Sequence, residues 1–349
     1  MDSVPFFRPP AELRAGLEAM NAAYLAGHAT QGPEVAGFEA ALAERFGVEP
    51  ELVVGTSSCT EALTIALAVL GERRAVVPAL TWNATANAPR NLGMEVVLAD
   101  VDEHACLAAD ALPSGGVVLP VSLYGNEFDR SLLERRAIVD GAQALELGAY
   151  AEAFATCFSF HAVKSLPLGQ GGAAVFAERE AADEARRVAQ HGFSFGRGPR
   201  TQVTSPAYRA FMIAPIAAMG TALLPHVDGW AARRAEVGRS YAEAFAGLPQ
   251  VARAERDAWH MFVLLPDDRD RLREHLADRG VESAAYYTAL PDQPAWRGPR
   301  CERAEWLGRR ATALPLHPTL TDAEVARVTE AVLTWPGWTG ARARPPAAA

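Results

Sequence analysis

Cysteine is scarce in this sequence. Four residues, Cys59, Cys106, Cys157 and Cys301, are spread over 349 positions and form no CxxC pair. A disulfide framework or a zinc site would need a denser or more regular cysteine pattern, so neither is indicated. We therefore expect four reduced thiols and no metal site.

An excess of positive charge is also missing, because the formal net charge is -9. The chain has no overall basic field that would attract nucleic-acid phosphates or anionic lipid. We predict that nucleic acid is not a partner.

Long apolar runs are absent as well. A membrane helix needs about 18 consecutive apolar residues, whereas the apolar stretch from Ala210 to Leu224 is interrupted by Pro215 and Gly220. That stretch is predicted to be a buried helix or a segment that faces a second copy. The N-terminus, MDSVPFFRPPAELRAG, has acid and proline where a signal peptide has a basic start and an apolar run. We expect a cytoplasmic protein without membrane contact.

The residues that are present favour a packed globular enzyme, since half are hydrophobic and 21% are charged. The length allows two closely associated domains or one large α/β domain. Between residues 52 and 139, short apolar runs alternate with helix-patterned stretches, beginning with LVV, the turn GTSSCT and EALTIALAVLG. Such alternation predicts an α/β fold with a parallel sheet covered on both faces.

The domain organisation follows from where this alternation ends. We predict a large α/β domain over residues 1–235, with a helical N-terminal arm, and a smaller C-terminal α+β domain over residues 236–340. In the smaller domain HMFVLLP and VESAAYY are predicted strands, and RDRLREHLADRG and TDAEVARVTEAVLTW are predicted helices. Residues 341–349 have the low-complexity composition of a flexible tail.

Lys164 lies between a strand-like aromatic run and a glycine-rich turn, in FSFHAVKSLPLGQGGAAVF. Most lysines are simply exposed, but Asp140 follows the apolar run 137–139, at a strand end where open α/β sheets place their ligands. Pyridoxal phosphate needs a lysine amine for attachment and an acid that keeps its ring nitrogen protonated. Lys164 and Asp140 meet both needs.

A phosphate also needs hydrogen-bond donors, and GTSSCT before a helix offers hydroxyls and free backbone N–H groups. Ser57, Ser58 or Thr60 could instead cap the helix. The local sequence leaves both interpretations open, because one geometry serves both.

Segments along most of the chain form a recognisable series: HATQGPEVAGFEAAL, GTSSCTEALTIAL, VPALTWNATANAPRNLGMEVVLADVD, VSLYGN, VDGAQALELGA, FSFHAVKSLPLGQGG, QHG and ALPLHPTLTDAEVARV. In this order and spacing they resemble the DegT-type (DegT/DnrJ/StrS) sugar aminotransferase family, which has pyridoxal-phosphate fold type I. The resemblance implies a large domain with a mostly parallel seven-stranded sheet covered by helices. It also implies a homodimer whose active sites are completed by the neighbouring chain.

The resemblance assigns roles to individual residues. It implies that Lys164 is catalytic and carries pyridoxal 5'-phosphate as a Schiff base, and that Asp140 pairs with the pyridine nitrogen. Gln143 matches a glutamine near the phenolic oxygen of the cofactor. Trp82 matches an aromatic residue stacked on the ring, the alternative being a core tryptophan.

Four further positions match residues that hold the cofactor phosphate: Ser58, Cys59, Thr60 and Ser159. The family more often has glycine where Cys59 stands. His161, three residues before the lysine, is interpreted as support for the site. Tyr287 matches a tyrosine near the active-site entrance.

The sequence departs from the family pattern in two places. The segment AYAEAFAT, residues 149–156, is several residues shorter than usual, which leaves room for a different substrate. Ala207 stands where most members have an asparagine that reaches the phosphate of the neighbouring subunit. Either the phosphate loses one donor across the dimer, or Arg200, Gln202 or Arg209 replaces the asparagine. We predict that residues 196–208 lie at the active-site mouth.

The resemblance implies an aminotransferase that moves an amino group from glutamate or glutamine to a keto sugar, a nucleotide-linked keto sugar or a cyclitol ketone. The setting would be the biosynthesis of secondary metabolites or cell-surface sugars. One alternative is elimination or dehydration on the same fold, but the dehydrating members have histidine where this chain has Lys164. The other is a non-catalytic or regulatory member, against which the intact lysine, aspartate, glutamine and serine argue.

Overall fold

The computed structural model describes residues 3–110, 112–193, 203, 207–296 and 298–338. The helices within these residues are α1 (Leu13–Leu25), α2 (Pro33–Phe46), α3 (Cys59–Leu70), α4 (Asn83–Asn91), α5 (Arg179–Ala189), α6 (Ala214–Leu223), α7 (Val227–Ala244), α8 (Arg269–Asp278), α9 (Glu302–Arg310) and α10 (Asp322–Leu333). The strands are β1 (Val53–Thr56), β2 (Arg74–Pro78), β3 (Glu95–Ala99), β4 (Val117–Val118), β5 (Ile138–Asp140), β6 (Ala155–Ser159), β7 (Gly172–Phe176), β8 (Phe262–Leu264) and β9 (Thr312–Leu314).

Seven strands form the central sheet, in the order β3-β2-β4-β5-β6-β7-β1. Two parallel bridges, Val118 to Ala137 and Val121 to Asp140, connect the half that contains β4 with the half that contains β5. Among the described strands of this sheet, β7 alone runs antiparallel to its neighbours, β6 and β1. The predicted α/β class with a mostly parallel seven-stranded sheet is therefore confirmed.

Helices cover both faces of this sheet. On one face α3 contributes Leu63 and Leu67 to a core shared with β2 and β6. On the other face α2 and α6 contribute Phe38 and Leu223 to a core shared with β1 and β7. The central strands consist largely of buried valine and alanine residues, because both of their faces are removed from water.

The sheet direction decides where side chains gather. Strands β1, β2, β5 and β6 point the same way, so the turns that follow them meet at one edge of the sheet. Those turns lead into α3, into α4, through Asp140 to Gln143, and through Lys164 to β7. Ligand sites of open α/β sheets lie at this edge.

The C-terminal part contains the two-stranded antiparallel sheet of β8 and β9, with α8 and α10 packed around a core that includes Tyr241, Phe245 and Phe262. The predicted strand in VESAAYY is wrong. Val281 and Ala284 each form only an isolated bridge, to Val4 and Ala313 respectively. Because the two bridges lead to two different parts of the chain, the segment does not pair continuously with any one strand, and no strand forms. Helix α9 and strand β9 were not predicted from the sequence.

The proposed domain boundary at residues 235 and 236 falls inside α7, which continues without a break. Residues near the N-terminus also pack on the C-terminal part, where the Val4 N–H donates to Gly280 O at 2.8 Å. The division into residues 1–235 and 236–340 stays a prediction, and the proposed tail lies outside the described residues. Within the described ranges, none of the helices has both the length and the apolar character required to cross a membrane.

Candidate active site

A cavity of about 460 Å³ opens at the sheet edge where β1, β2, β5 and β6 end. The cavity brings together side chains from the N-terminus of α3, from α4, from the ends of β5 and β6 and from the segment around Tyr287. All eight residues that the sequence predicted for the site line it: Ser58, Cys59, Thr60, Trp82, Asp140, Gln143, Ser159 and Lys164.

Lys164 projects from the turn between β6 and β7. The turn is closed by hydrogen bonds from the Phe160 N–H to Gly171 O at 2.9 Å and from the Leu168 N–H to Phe160 O at 3.0 Å. Lys164 is also the only lysine among the 349 residues of the chain. Burial lowers the pKa of its amine, and the nearby Asp140 and Cys59 oppose that shift. A lowered pKa increases the share of unprotonated, nucleophilic amine at neutral pH.

Asp140 is the last residue of β5 and pairs with Cys157 on the neighbouring strand β6, which leads to Lys164. The residue is buried, with 5% of its surface exposed. Oδ1 accepts a hydrogen bond from the Ala142 N–H at 3.1 Å, and Oδ2 accepts one from Thr85 Oγ1 at 2.7 Å. Burial raises the pKa of Asp140, while the Thr85 hydroxyl, the Ala142 N–H, Lys164 and Cys59 all favour the ionised form.

The N-terminus of α3 faces the cavity beside these two residues. Ser58 caps the helix, since its Oγ accepts from the Glu61 N–H at 3.2 Å. The N–H groups of Cys59 and Thr60 have no acceptor in the part of the chain that the structure describes. Capping and anion binding are thus compatible here, because Ser58 satisfies one donor and leaves two others directed outward.

Strand β7 approaches this helix end unusually closely. Ser159 lies opposite Gly172 in the β6–β7 ladder. A side chain at Gly172 would place its Cβ 2.4 Å from the Cys59 nitrogen. Only glycine fits this position, which explains one glycine of the GQGG sequence and brings Ser159 next to the N-terminus of α3.

Gln143 has a fixed orientation. Its Oε1 accepts a hydrogen bond from the Tyr124 N–H at 2.6 Å, and its Nε2 donates to the Tyr287 hydroxyl at 2.8 Å. Tyr124 has a positive φ of 60°, which turns its N–H toward Gln143. One amide hydrogen of Gln143 remains to donate into the cavity, because an amide nitrogen carries two.

Trp82 lies at the cavity mouth and is 58% exposed. The core-tryptophan alternative is therefore wrong for this residue. Its ring centroid is 5.8 Å from that of Tyr287, at an angle of 55°. A flat ligand that entered here would be bordered by the indole on one side.

The remaining predicted residues lie either in the lining of the cavity or outside it. His161 lines the cavity and is exposed, and its pKa is lowered first by burial and then by Lys164. Tyr287 lines the cavity as well. Arg209 is exposed with its guanidinium 5.8 Å from the Phe211 ring centroid. Arg200 and Gln202, and most of the predicted arm 196–208, lie outside the described residues.

Sequence reasoning missed several residues at the site. Thr85 and Thr81 stand behind Asp140, and Tyr124 orients Gln143. A signal was available for Thr85, because it lies in the first turn of the helix that Trp82 precedes. Nothing in the sequence indicated that Tyr124 would contact Gln143 through its backbone.

The residues present fit pyridoxal 5'-phosphate. An amine with a lowered pKa lies in the turn after β6, and a buried carboxylate lies at the end of the neighbouring strand β5. Free N–H groups with serine and threonine hydroxyls lie at the N-terminus of α3. These three groups match an aldehyde, a pyridinium nitrogen and a phosphate respectively. Lys164, Asp140 and the Ser58–Thr60 turn would hold those three parts.

Comparison with known proteins gives a match over nearly the whole chain. The model of the DegT/DnrJ/EryC1/StrS aminotransferase family matches residues 12–333. DesV from S. venezuelae, solved in complex with a ketimine intermediate, is similar at 29% identity, with a TM-score of 0.85 over 95% of this chain and 98% of DesV.

Two more solved structures extend the comparison. The aminotransferase TlmJ from Streptoalloteichus hindustanus has 25% identity and a TM-score of 0.85, covering 95% of this chain and 98% of TlmJ. Spr1654 from Streptococcus pneumoniae in its PLP form has 24% identity and a TM-score of 0.85, covering 95% of this chain and 97% of Spr1654. The likeness to Spr1654 shows the shared fold.

Proposed function

The chain belongs to the DegT/DnrJ/EryC1/StrS aminotransferase family, and from that premise we propose that it is a pyridoxal-phosphate-dependent sugar aminotransferase with Lys164 as its catalytic residue. The amino donor is glutamate or glutamine. The acceptor is a keto sugar, a nucleotide-linked keto sugar or a cyclitol ketone, and the setting is secondary-metabolite or cell-surface sugar biosynthesis.

One observation carries the proposal: the only lysine of the chain lines the cavity, next to a buried carboxylate on the neighbouring strand end. An exposed lysine could be replaced by arginine with little effect, whereas covalent attachment of an aldehyde requires a primary amine. Arginine and lysine together number 33, so arginine fills every other strongly basic position. The position of Lys164 therefore supports a chemical role for its amine.

Pyridoxal phosphate supplies an electron-accepting ring that stabilises negative charge on a substrate carbon. The residues of this chain supply position and protons. Lys164 Nζ is the attachment point and, once released, the base that moves a proton at the reacting carbon. Burial of the amine suits both tasks, because it disfavours the charged ammonium form.

Asp140 holds a proton on the ring nitrogen by presenting a negative charge to it. A pyridinium nitrogen would add a positive charge next to the buried carboxylate, whose hydrogen-bond partners are a hydroxyl, a thiol and an N–H group. Cofactor binding should therefore compensate the cost of burying Asp140.

The remaining lining residues orient the bound molecule. The free N–H groups of Cys59 and Thr60, with the hydroxyls of Ser58, Thr60 and Ser159, bind the phosphate. The free amide hydrogen of Gln143 donates to the phenolic oxygen. Trp82 borders the ring face at the mouth and restricts entry of water.

The oligomer is proposed to be a homodimer. Helix α6 is covered by α1 and α2, so the apolar stretch Ala210–Leu224 does not itself need a partner chain. Exposed apolar side chains lie instead on α1, at Leu17, Tyr24 and Leu25, and at the cavity mouth, at Trp82. Such side chains favour a second copy as partner. Light scattering of an active sample that gave a monomer mass would contradict the homodimer.

We also propose that the protein is cytoplasmic.

The attachment experiment uses the single lysine. The holoprotein is reduced with borohydride, digested and analysed by mass spectrometry. The cofactor should be found on the peptide that contains Lys164, and Lys164→Ala and Lys164→Arg should both lose the adduct and the turnover. Lys164→Arg keeps the charge, so it separates loss of the amine from loss of the cation. An adduct only on the N-terminal amine would overturn the assignment.

The reaction experiment tests transamination against elimination. An excess of glutamate or glutamine is offered to the holoprotein, and the corresponding 2-oxo acid is quantified. A transaminase forms one equivalent per cofactor and stops until a ketone is added. Keto sugars, nucleotide-linked keto sugars and cyclitol ketones are then compared as acceptors. Loss of water from the added ketone without transfer of the amino group to it would favour elimination.

A further inference from the structure

The Asp140 carboxylate is held from behind by two threonines. Thr85 Oγ1 lies 2.7 Å from Asp140 Oδ2, and the hydroxyl oxygens of Thr81 and Thr85 are 2.9 Å apart. Thr85 is 0% exposed and Thr81 is 1% exposed. Water therefore cannot replace either hydroxyl, and each must be satisfied within this short chain of oxygens.

The direction of the hydrogen bonds follows from counting protons. An ionised carboxylate only accepts, so Thr85 must donate its single hydroxyl proton to Asp140. Thr85 can then only accept from Thr81, which makes Thr81 the donor of that pair. The order Thr81 to Thr85 to Asp140 is consistent with an ionised Asp140, and it would have to reverse if Oδ2 carried the proton.

We infer that Thr85 is a positioning residue for the transamination reaction, acting through Asp140 and not through contact with the cofactor. It holds Oδ2 and so fixes the rotation of the carboxylate. Thr85 also donates its N–H to Trp82 O at 3.2 Å. The first turn of α4 thus helps to orient both the Trp82 indole at the cavity mouth and the Asp140 carboxylate at the cavity base. The inference rests on the proposed function.

The other groups that face Asp140 do not substitute for Thr85. The Ala142 N–H and the more distant Cys59 thiol, 3.9 Å away, both contact Oδ1. The remaining titratable neighbours are Cys157 on β6, Lys164 and Tyr287. Cys157 and Tyr287 are neutral at neutral pH because burial raises the pKa of each. Without Thr85, Oδ2 would lose the one side-chain donor that the described residues give it.

The test compares Thr85→Val, which keeps the shape and removes the hydroxyl, with Thr85→Ser, which keeps the hydroxyl. For Thr85→Val we expect kcat to fall by about tenfold, equivalent to about 1.4 kcal/mol, with the KM for the donor nearly unchanged. In the pH profile of kcat, the acidic limb should move to higher pH. The reason is that loss of a hydrogen-bond donor raises the pKa of Asp140. The absorption spectrum of the bound cofactor, titrated with pH, should shift in the same direction.

A buried threonine that does not line the cavity serves as the matched control. Thr312 is 0% exposed and donates to Arg310 O at 3.2 Å, so Thr312→Val also removes a buried hydroxyl. It should leave the pH profile and the cofactor spectrum unchanged. Thr85→Ser should behave like the unmodified protein. A Thr85→Val protein with unaltered kcat, profile and spectrum would overturn the inference, as would a Thr85→Ser protein as impaired as Thr85→Val.

Thr81→Val is the second variant, which decides the question if Thr85→Val does not fold. It leaves Thr85 in place and removes the donor behind it, so it should shift the acid limb in the same direction by a smaller amount. An unchanged pH profile in that protein would contradict the inference. Failure of the proposed function is separate, because it would appear as absent cofactor attachment and turnover in the unmodified protein.

Discussion

Gln143 donates a hydrogen bond from Nε2 to the hydroxyl of Tyr287 at 2.8 Å, across 144 residues of sequence. The contact ties the loop after β5 to the C-terminal part of the chain, directly at the cavity. Both side chains are buried. The orientation of a proposed cofactor-binding amide thus depends on a residue that a distant segment of the sequence supplies.

Tyr287→Phe tests this contact. The substitution removes the acceptor and leaves a buried amide hydrogen unpaired, so the free energy of unfolding should fall by about 1–3 kcal/mol. Chemical denaturation of the cofactor-free protein measures it. Tyr286→Phe is the control, because the Tyr286 hydroxyl has no hydrogen-bond partner among the described residues and its loss should cost less than about 0.5 kcal/mol. Equal losses in the two variants would show that the contact contributes little.

Much of this site could be predicted from local sequence. Short apolar runs indicated where strands end, and Asp140 and Lys164 follow two such runs, so their proximity followed from the parallel sheet. The eight predicted side chains line one cavity for the same reason. Their roles stay a prediction.

The contacts that orient those residues could not be predicted in this way. Thr85 reaches Asp140 over 55 residues, and Tyr124 reaches Gln143 through a backbone N–H whose direction depends on a positive φ. Such contacts depend on how elements pack, which local periodicity does not encode. The wrong strand in VESAAYY has a related cause, since its tyrosines stack with each other beside the cavity instead of alternating across a sheet.

Asp140→Asn should separate function from stability. Turnover should fall by about 100-fold or more, equivalent to about 2.7 kcal/mol, because an amide cannot balance the charge of a protonated ring nitrogen. The cofactor should still bind, since the phosphate and Lys164 contacts remain. Near-normal turnover in this variant would assign the role to another carboxylate.

The same substitution should change how the stability of the cofactor-free protein depends on pH. Burial raises the pKa of Asp140, so the folded protein holds this proton more tightly than the unfolded chain. The resulting stabilisation is full below the ordinary carboxyl pKa of about 3.9 and is lost as pH rises through the raised value. Asparagine does not titrate, so the stability of Asp140→Asn relative to the unmodified protein should increase with pH over that window. Asp270→Asn, at an exposed position, should show no such trend.

A buried ion pair supports the turn that carries Lys164. Arg234 pairs with Glu146 and donates to Ser165 Oγ at 3.2 Å, with the two charged side chains 6% and 12% exposed. Arg234→Met should lower the free energy of unfolding by about 3–5 kcal/mol, because Glu146 would remain as an unpaired buried charge. Adding Glu146→Leu should recover a large part of that loss.

The control for this pair is Arg130→Met, which breaks the half-exposed pair with Glu152. It should change the free energy of unfolding by no more than about 1 kcal/mol. Denaturant titration of all three variants gives the comparison. If Arg234→Met and Arg130→Met lower the free energy of unfolding by the same amount, the Arg234–Glu146 pair does not stabilise the turn that carries Lys164.

The last prediction concerns the reactivity of the single lysine. Burial lowers the pKa of Lys164, and Asp140 opposes that effect by favouring the ammonium form. In the cofactor-free protein, labelling of Lys164 with a small amine reagent should reach half its maximal rate at a pH below the ordinary lysine value of about 10.4. Asp140→Asn removes the opposing charge and should move this midpoint further down. Because no other lysine is present, mass spectrometry of one peptide reports the midpoint, and the N-terminal amine provides an internal reference that the substitution should not affect. A midpoint at or above the ordinary value, or an upward movement in Asp140→Asn, would contradict the proposed electrostatic relationship between the two residues.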